Sequence, residues 1–141
     1  MTKKVLTDWM NLPTDFCPTE YAGFVYLVVN TLTKQQYVGK KFFWSKTKVK
    51  VKGSTRRKLK TKESDWRYYK SSSDELKADI ASFGLDVFEF SILSLHKTRA
   101  ETNYTEVKEQ FVRDVLNATL PNGEYEYLNK CILNRYYRNK A

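Results

Sequence analysis

The sequence predicts an α+β fold: a small three-stranded antiparallel sheet flanked by helices, with a basic insert. Three observations predict it. Aromatic and β-branched runs stand at 24–29, 36–44 and 87–93. Segments with helical spacing stand at 73–83 and 98–117. Between them the composition changes abruptly, with eleven Lys or Arg and no Asp or Glu from Lys40 to Lys62. At 141 residues the chain reads as one domain. A chain of this size buries roughly two-thirds of its unfolded surface, so it needs no disulfide or metal staple.

Residues 1–20 read as an irregular or partly helical lead-in, punctuated by Pro13 and Pro18. The domain proper runs over 21–141. Phe24 to Val29 lacks alternation, which predicts a strand buried on both faces. Asn30 to Gln35 is turn-like, and Gln36 to Trp44 is the hairpin partner. The insert follows at 45–65. Lys46, Lys48, Lys50 and Lys52 alternate with Thr47, Val49 and Val51, and after Gly53-Ser54 come Arg56, Lys58, Lys60 and Lys62, again every second residue. A three-residue loop, Gly53-Ser54-Thr55, would set Lys52 against Arg56, Lys50 against Lys58 and Lys48 against Lys60. Like charges directly opposite weaken a ladder. Such a basic hairpin would be weak or mobile alone and firm up on an anion; the other reading is a disordered basic loop.

Ser73 is the expected N-cap of a helix to Phe83, with Asp74 and Glu75 in its first turn, Gly84 as its stop, and Leu76, Ile80 and Phe83 as its apolar stripe. Val87 to Leu93 is the third strand. Thr98 or Arg99 to Asn117 is a long amphipathic helix. Pro121-Asn122-Gly123 makes a turn, and a Tyr-rich tail carries a last helix with Ile132, Leu133 and Tyr136.

The net charge is +9 and the pI about 9.5. That balance favours a polyanionic partner: nucleic acid first, an acidic membrane surface or acidic protein behind it. There is no apolar run near eighteen residues and no signal-peptide core. Cys17 and Cys131 lack metal-ligand spacing and read as reduced thiols of a cytoplasmic protein. His96 stands alone after an apolar strand and carries no assigned role.

Several short motifs occur in one order. They are Phe24-Val25-Tyr26, Tyr37-Val38-Gly39, Ser72-Ser73 at a helix start, the helix-ending Gly84, Phe88-Glu89-Phe90-Ser91-Ile92-Leu93, Glu109-Gln110-Phe111 and Tyr127-Leu128-Asn129. From about Gly23 to Asn129 this order resembles the GIY-YIG nucleases, in particular phage intron-encoded homing endonucleases. The resemblance implies a metal-dependent DNA endonuclease using Mg²⁺ or Mn²⁺ in a bacterial or phage-infected cell. It allows a homodimer or a DNA-recognition partner protein, and no membrane. The alternative is a catalytically inactive nucleic-acid-binding module of the same fold. The chain departs from the family at Phe24, where a glycine is usual and Gly23 stands one place earlier. Valines replace both isoleucines. The family's catalytic arginine belongs near Thr47, where Lys46 and Lys48 stand instead.

A free phenol has a pKa near ~10 and is a poor base unless a cation favours phenolate. Strand alternation puts Tyr37, Gly39 and Lys41 on one face and Lys40 on the other. Lys41 is therefore the expected cation beside Tyr37. Read from periodicity alone, Tyr26 and Tyr37 are core tyrosines. The resemblance makes them the residues that position the water and relay its proton. At 100° per residue from Tyr104, the apolar residues Val107, Phe111, Val112, Val115 and Leu116 define one helix face. Glu109 falls on its rim near 140° and Glu106 mid-polar near 200°. Wheel and resemblance together select Glu109 as the metal ligand. Arg67, in Trp66-Arg67-Tyr68-Tyr69, is the nearest arginine for the displaced role, with Arg56 and Arg57 behind it. Asn129 either orients a metal ligand or caps the last helix. Lys46, Lys48, Lys50, Lys52, Arg56, Arg57, Lys58, Lys60 and Lys62 are expected to track the DNA backbone.

Overall fold

The structure, a computed structural model, describes residues 7–50, 52–53 and 57–138, and for 47–49 and 57–59 the backbone alone. Arg56 and the tip residues Ser54 and Thr55 lie outside the described residues. The elements are β1 (Gly23–Asn30), β2 (Gln36–Phe42), β3 (Trp44–Lys50), β4 (Arg57–Glu63), α1 (Asp74–Phe83), β5 (Phe88–His96) and α2 (Arg99–Val112). The sheet has order β2-β1-β5 and is antiparallel throughout. This is the predicted α+β architecture. Central β1 is buried on both faces because each face has its own cover.

One face packs Phe24, Tyr26, Val28, Phe90 and Ile92 against Phe43, Trp66 and Leu76. The lead-in belongs to this core, since Trp9 and Phe16 are buried in it. The Trp9 indole N–H donates to the Trp66 carbonyl at 2.6 Å, and its ring centroid lies 4.9 Å from that of Tyr26. From Thr7 on, the described part of the lead-in is irregular apart from a 3-10 turn at Pro18–Glu20 and a parallel bridge from Met10 to Ser91 of β5. The other face packs Val25 and Val38 against Val115, Tyr127 and Ile132, with α2 alongside.

Local chemistry accounts for the element ends. Asn30 Oδ1 accepts from the Leu32 and Thr33 N–H groups and closes the β1–β2 turn. Ser73 caps α1 by accepting from the Leu76 N–H, and Gly84 ends it at φ 91°. Leu76 is buried, whereas Phe83 of the predicted stripe is exposed. Helix α2 stops at Val112 rather than Asn117, because Asp114 turns left-handed at φ 51°. The predicted last helix is instead a short hairpin, Cys131–Ile132 with Tyr136–Tyr137, turned by left-handed Leu133 and Asn134.

The basic insert does form a hairpin, but its register differs by one residue from the expected one. Lys50 faces Arg57, Val49 faces Lys58, Lys48 faces Leu59, Thr47 faces Lys60 and Lys46 faces Thr61. The shift places each lysine opposite an uncharged residue except at Lys50–Arg57, which removes most of the like-charge penalty.

Candidate active site

Strand β2 lies at the sheet edge, so its outward backbone groups need partners. Three devices supply them. The Gln36 N–H donates to the Glu126 carbonyl, and the Leu128 N–H donates to the Gln36 carbonyl. At Val38, buried Asn129 acts as a substitute strand residue. Its Oδ1 accepts from the Val38 N–H at 3.0 Å, and its Nδ2 donates to the Val38 carbonyl at 2.8 Å. Gln110 Nε2 donates to the same carbonyl at 3.3 Å. At Lys40 the backbone N–H donates to the Glu106 carboxylate, which also pairs with Lys40 Nζ at 3.3 Å.

A cleft of about 560 Å³ opens where this edge meets the start of α1. Tyr37, Lys40, Ser72, Glu106 and Asn129 line it, with Asp74 and Glu75 on its α1 side. Tyr26 stands behind Tyr37, ring centroids 6.2 Å apart. The Tyr26 hydroxyl hydrogen-bonds with Ser71, and that of Tyr37 with Ser72 and Ser71. Tyr26 pairs in register with Gly39, and its ring lies over that glycine. A Cβ on Gly39 would meet Tyr26 Cζ and Oη at 2.5 Å. The glycine of Tyr37-Val38-Gly39 is therefore the floor on which the first tyrosine rests.

Electrostatics redefine what the phenols can do. Burial pushes the Tyr26 hydroxyl well above its usual range, and its neighbour Tyr37 pushes in the same direction. Burial also raises Tyr37, opposed by its Ser72 hydrogen bond, with Glu106 adding to the rise. Both are therefore neutral hydrogen-bonding groups near pH 7, not phenolates. Glu106 is raised from the ordinary carboxylate value by burial, with Lys40 opposing.

The structure brings together some of the predicted site residues and not others. Tyr26, Tyr37 and Asn129 converge, although Asn129 serves the β2 edge and caps no helix. Lys41 is not the cation of the cleft: its ammonium pairs with Asp65 at 2.6 Å and lies over the Tyr69 ring. Arg67 lies outside the cleft, with its Nε bonded to Glu63 at 2.9 Å. Glu109 is not among the cleft residues either. It accepts from Arg113 Nε at 2.9 Å, and Arg113 in turn bonds Tyr127. The carboxylate in the cleft is Glu106 and the cation beside it is Lys40, and both were missed.

The helical wheel misled because, of the supposed buried arc within the helix, only Val107 packs on the core while Tyr104, Phe111 and Val112 face water. Tyr104 is 69% exposed and Val112 74%, while Thr102 and Gln110 are buried. The face packed on the sheet is polar because Glu106 and Gln110 serve the β2 edge, while the Thr102 hydroxyl donates to the Thr98 carbonyl. The spacing of 102, 106 and 110 was the available signal, a straight polar stripe on one helix face. For Lys40, the signal was that an edge strand offers side chains of both faces to a cleft wrapped around that edge.

Among the described residues, no three or more His, Cys, Asp or Glu side chains gather to hold a metal. The donor set at the cleft is one carboxylate, Glu106, with Asp74 and Glu75 on the rim. It fits Mg²⁺, which takes one or two carboxylates, keeps waters and completes its shell with substrate phosphate.

A protein-family model matches the chain. The profile described as "Putative endonuclease segE, GIY-YIG domain" covers residues 9–132 of the 141-residue chain. The chain belongs to the GIY-YIG nuclease family. No curated protein and no solved structure matches it. The family match begins at Trp9, which also packs on Tyr26. Within the matched span, Tyr26 and Tyr37 both face the Ser71-Ser72 pair, and Gly39 makes room for the first of them. Among the described residues, no helix is long and apolar enough to cross a membrane.

Proposed function

We propose that this family member is a metal-dependent endonuclease that hydrolyses DNA phosphodiesters, homing-endonuclease-like or of low sequence specificity. The observation that carries the reading is the convergence of Tyr37, Lys40, Ser72 and Glu106 on one cleft, with Tyr26 directly behind. Glu106, rather than Glu109, is the carboxylate that would hold Mg²⁺ or Mn²⁺. Bound there, the metal would supply charge stabilisation to the phosphoryl oxygens and acidify a water. The Tyr37 hydroxyl, neutral and anchored on Ser72, orients the attacking water or a phosphoryl oxygen by hydrogen bonding. Tyr26 holds Tyr37 in place and continues the hydroxyl chain through Ser71. Lys40 can transfer its ammonium from Glu106 to a phosphate oxygen, the role for which Lys41 and Arg67 are badly placed. Basic residues of β3 and β4 track the backbone, giving affinity that falls steeply with salt. The same reading puts the enzyme with its DNA in the cytoplasm of a bacterial or phage-infected cell.

The test is nicking of supercoiled plasmid with Mg²⁺ or Mn²⁺, with and without chelator, by wild type, Glu106→Ala and Glu109→Ala. Metal-dependent nicking lost in Glu106→Ala and kept in Glu109→Ala is the expected result. No metal-dependent nicking in wild type, or equal nicking in Glu106→Ala, would overturn it. One observation favours the inactive module: among the described residues, no arginine lines the cleft. That reading predicts DNA binding without nicking under every metal condition.

A further inference from the structure

The β3–β4 hairpin is the largest feature that the cleft leaves unused. It forms its own two-stranded sheet, separate from β2-β1-β5. Its root is firmly held. Phe43, between β2 and β3, is buried in the core. The Trp44 indole N–H is shared between the Pro18 and Tyr21 carbonyls. Ser64 Oγ donates to the Phe42 carbonyl at 2.6 Å, and Glu63 accepts from the Trp66 indole N–H at 2.9 Å.

The register assigns the charges to two faces. Directly opposed positions share a face and alternate positions lie on opposite faces. Lys46, Lys48, Lys50 and Arg57 therefore hold positions on one face, and Lys58, Lys60 and Lys62 on the other. Residues 44–62 contain no acid. A ribbon laid flat along a polyanion presents one face to it and turns the other, with its lysines, to water. A ribbon standing between two phosphate walls engages both. The major groove of B-DNA, about 12 Å wide and 8.5 Å deep, admits a two-stranded ribbon, whereas the minor groove at about 6 Å is too narrow. Strands of this length extend about 23 Å, which exceeds the groove depth and leaves the root outside it.

We propose that β3–β4 is an arm that enters the major groove of duplex DNA, one face toward the phosphates of each strand. This rests on the reading of DNA as the substrate. The groove position would set where the cleft meets the backbone, so the arm deepens that reading by naming intact duplex as the ligand.

The test compares the whole chain with two triple variants, Lys46→Ser/Lys48→Ser/Lys50→Ser and Lys58→Ser/Lys60→Ser/Lys62→Ser, binding a mixed-sequence duplex in chelator. Matching circular dichroism spectra establish that all three fold alike. Each variant is expected to reduce the slope of log affinity against log salt by about 2.7, for three phosphate contacts at about 0.9 each. Wild type is expected to protect guanine N7, in the major groove, from dimethyl sulfate, and each variant to lose that protection. A slope change confined to one face, or protection of adenine N3 in the minor groove alone, would overturn the arm and leave DNA binding standing. No binding of wild type to the duplex would overturn the DNA reading itself.

Discussion

Gly39→Ala isolates the contact on which the tyrosine pair depends. Gly39 lies within β2, and its backbone is not left-handed, so alanine meets no conformational strain there. In such a setting the substitution ordinarily stabilises by about 0.4–1 kcal/mol, by restricting the unfolded chain. Here the new Cβ would lie 2.5 Å from Tyr26 Cζ and Oη, where ordinary contact begins at 3.4 Å. The ring must retreat by about 0.9 Å. It cannot do so freely, because Trp9, Phe24, Tyr37 and Tyr69 surround it with centroids 4.9 to 6.3 Å away. Overpacking of this kind costs about 1–3 kcal/mol, so the sign of the effect is inverted. A displacement near 1 Å in a catalytic group also costs on the order of 10²-fold in rate. Urea unfolding and plasmid nicking measure the two consequences. Tyr26→Leu in the Gly39→Ala background removes the clashing atoms, and a double-mutant cycle should show coupling of about 0.5–3 kcal/mol. A Gly39→Ala protein as stable as wild type or more so, with full nicking, would refute the packing argument.

Three further outcomes follow from the same edge and cleft. Asn129→Ala leaves the buried Val38 N–H without its acceptor and should cost about 1–3 kcal/mol in urea unfolding, with Asn129→Asp no better because a carboxylate then faces the Val38 carbonyl. An unchanged midpoint would remove Asn129 from the β2 edge. Tyr37→Phe should slow nicking by about 10²–10⁴-fold while leaving stability nearly unchanged; equal rates would exclude its hydroxyl from the chemistry. Because burial raises Glu106, its carboxyl in the metal-free protein should titrate above its ordinary value by NMR, and Lys40→Met, which removes the opposing cation, should move it higher still. The linked stability runs the other way: this group's contribution is fully present below its unfolded pKa and is lost as pH rises through the folded one. Glu106→Gln should flatten that part of the stability–pH curve, and an unaltered curve would show that another group titrates.

The β1–β2 hairpin, the capped helix α1 and strand β5 were legible because each is specified locally, by β-branched runs, by Ser73 and Gly84, and by the Asn30 turn. Tyr26 and Tyr37 were legible as a pair because register follows from a hairpin. Glu106 and Lys40 were not, since both answer to unpaired backbone groups on an edge that only the three-dimensional strand order reveals. An apolar arc on α2 pointed the wrong way because Tyr104 and Val112 lie in water, while the polar stripe of Thr102, Glu106 and Gln110 packs on the sheet. The hairpin register failed for a smaller reason. The expected three-residue loop gave an even sum of paired residue numbers, and the structure uses an odd one, which exchanges the neighbours of every lysine.

All three tryptophans of the chain sit together around the root of the basic hairpin. Trp44 opens β3, the Trp66 ring lies edge-on to Phe43 at 4.8 Å, and Trp9 bridges from the Trp66 carbonyl to the Tyr26 ring. The protein thereby carries its own optical probe at the junction between the arm and the first tyrosine. A wet indole emits to the red of a dry one, which distinguishes Trp44, half-buried at the surface, from Trp9 and Trp66, both held in the apolar interior. A shift on adding DNA would follow motion at the hinge of the arm without any attached dye, and energy transfer from the tyrosines would follow the integrity of the core beside it.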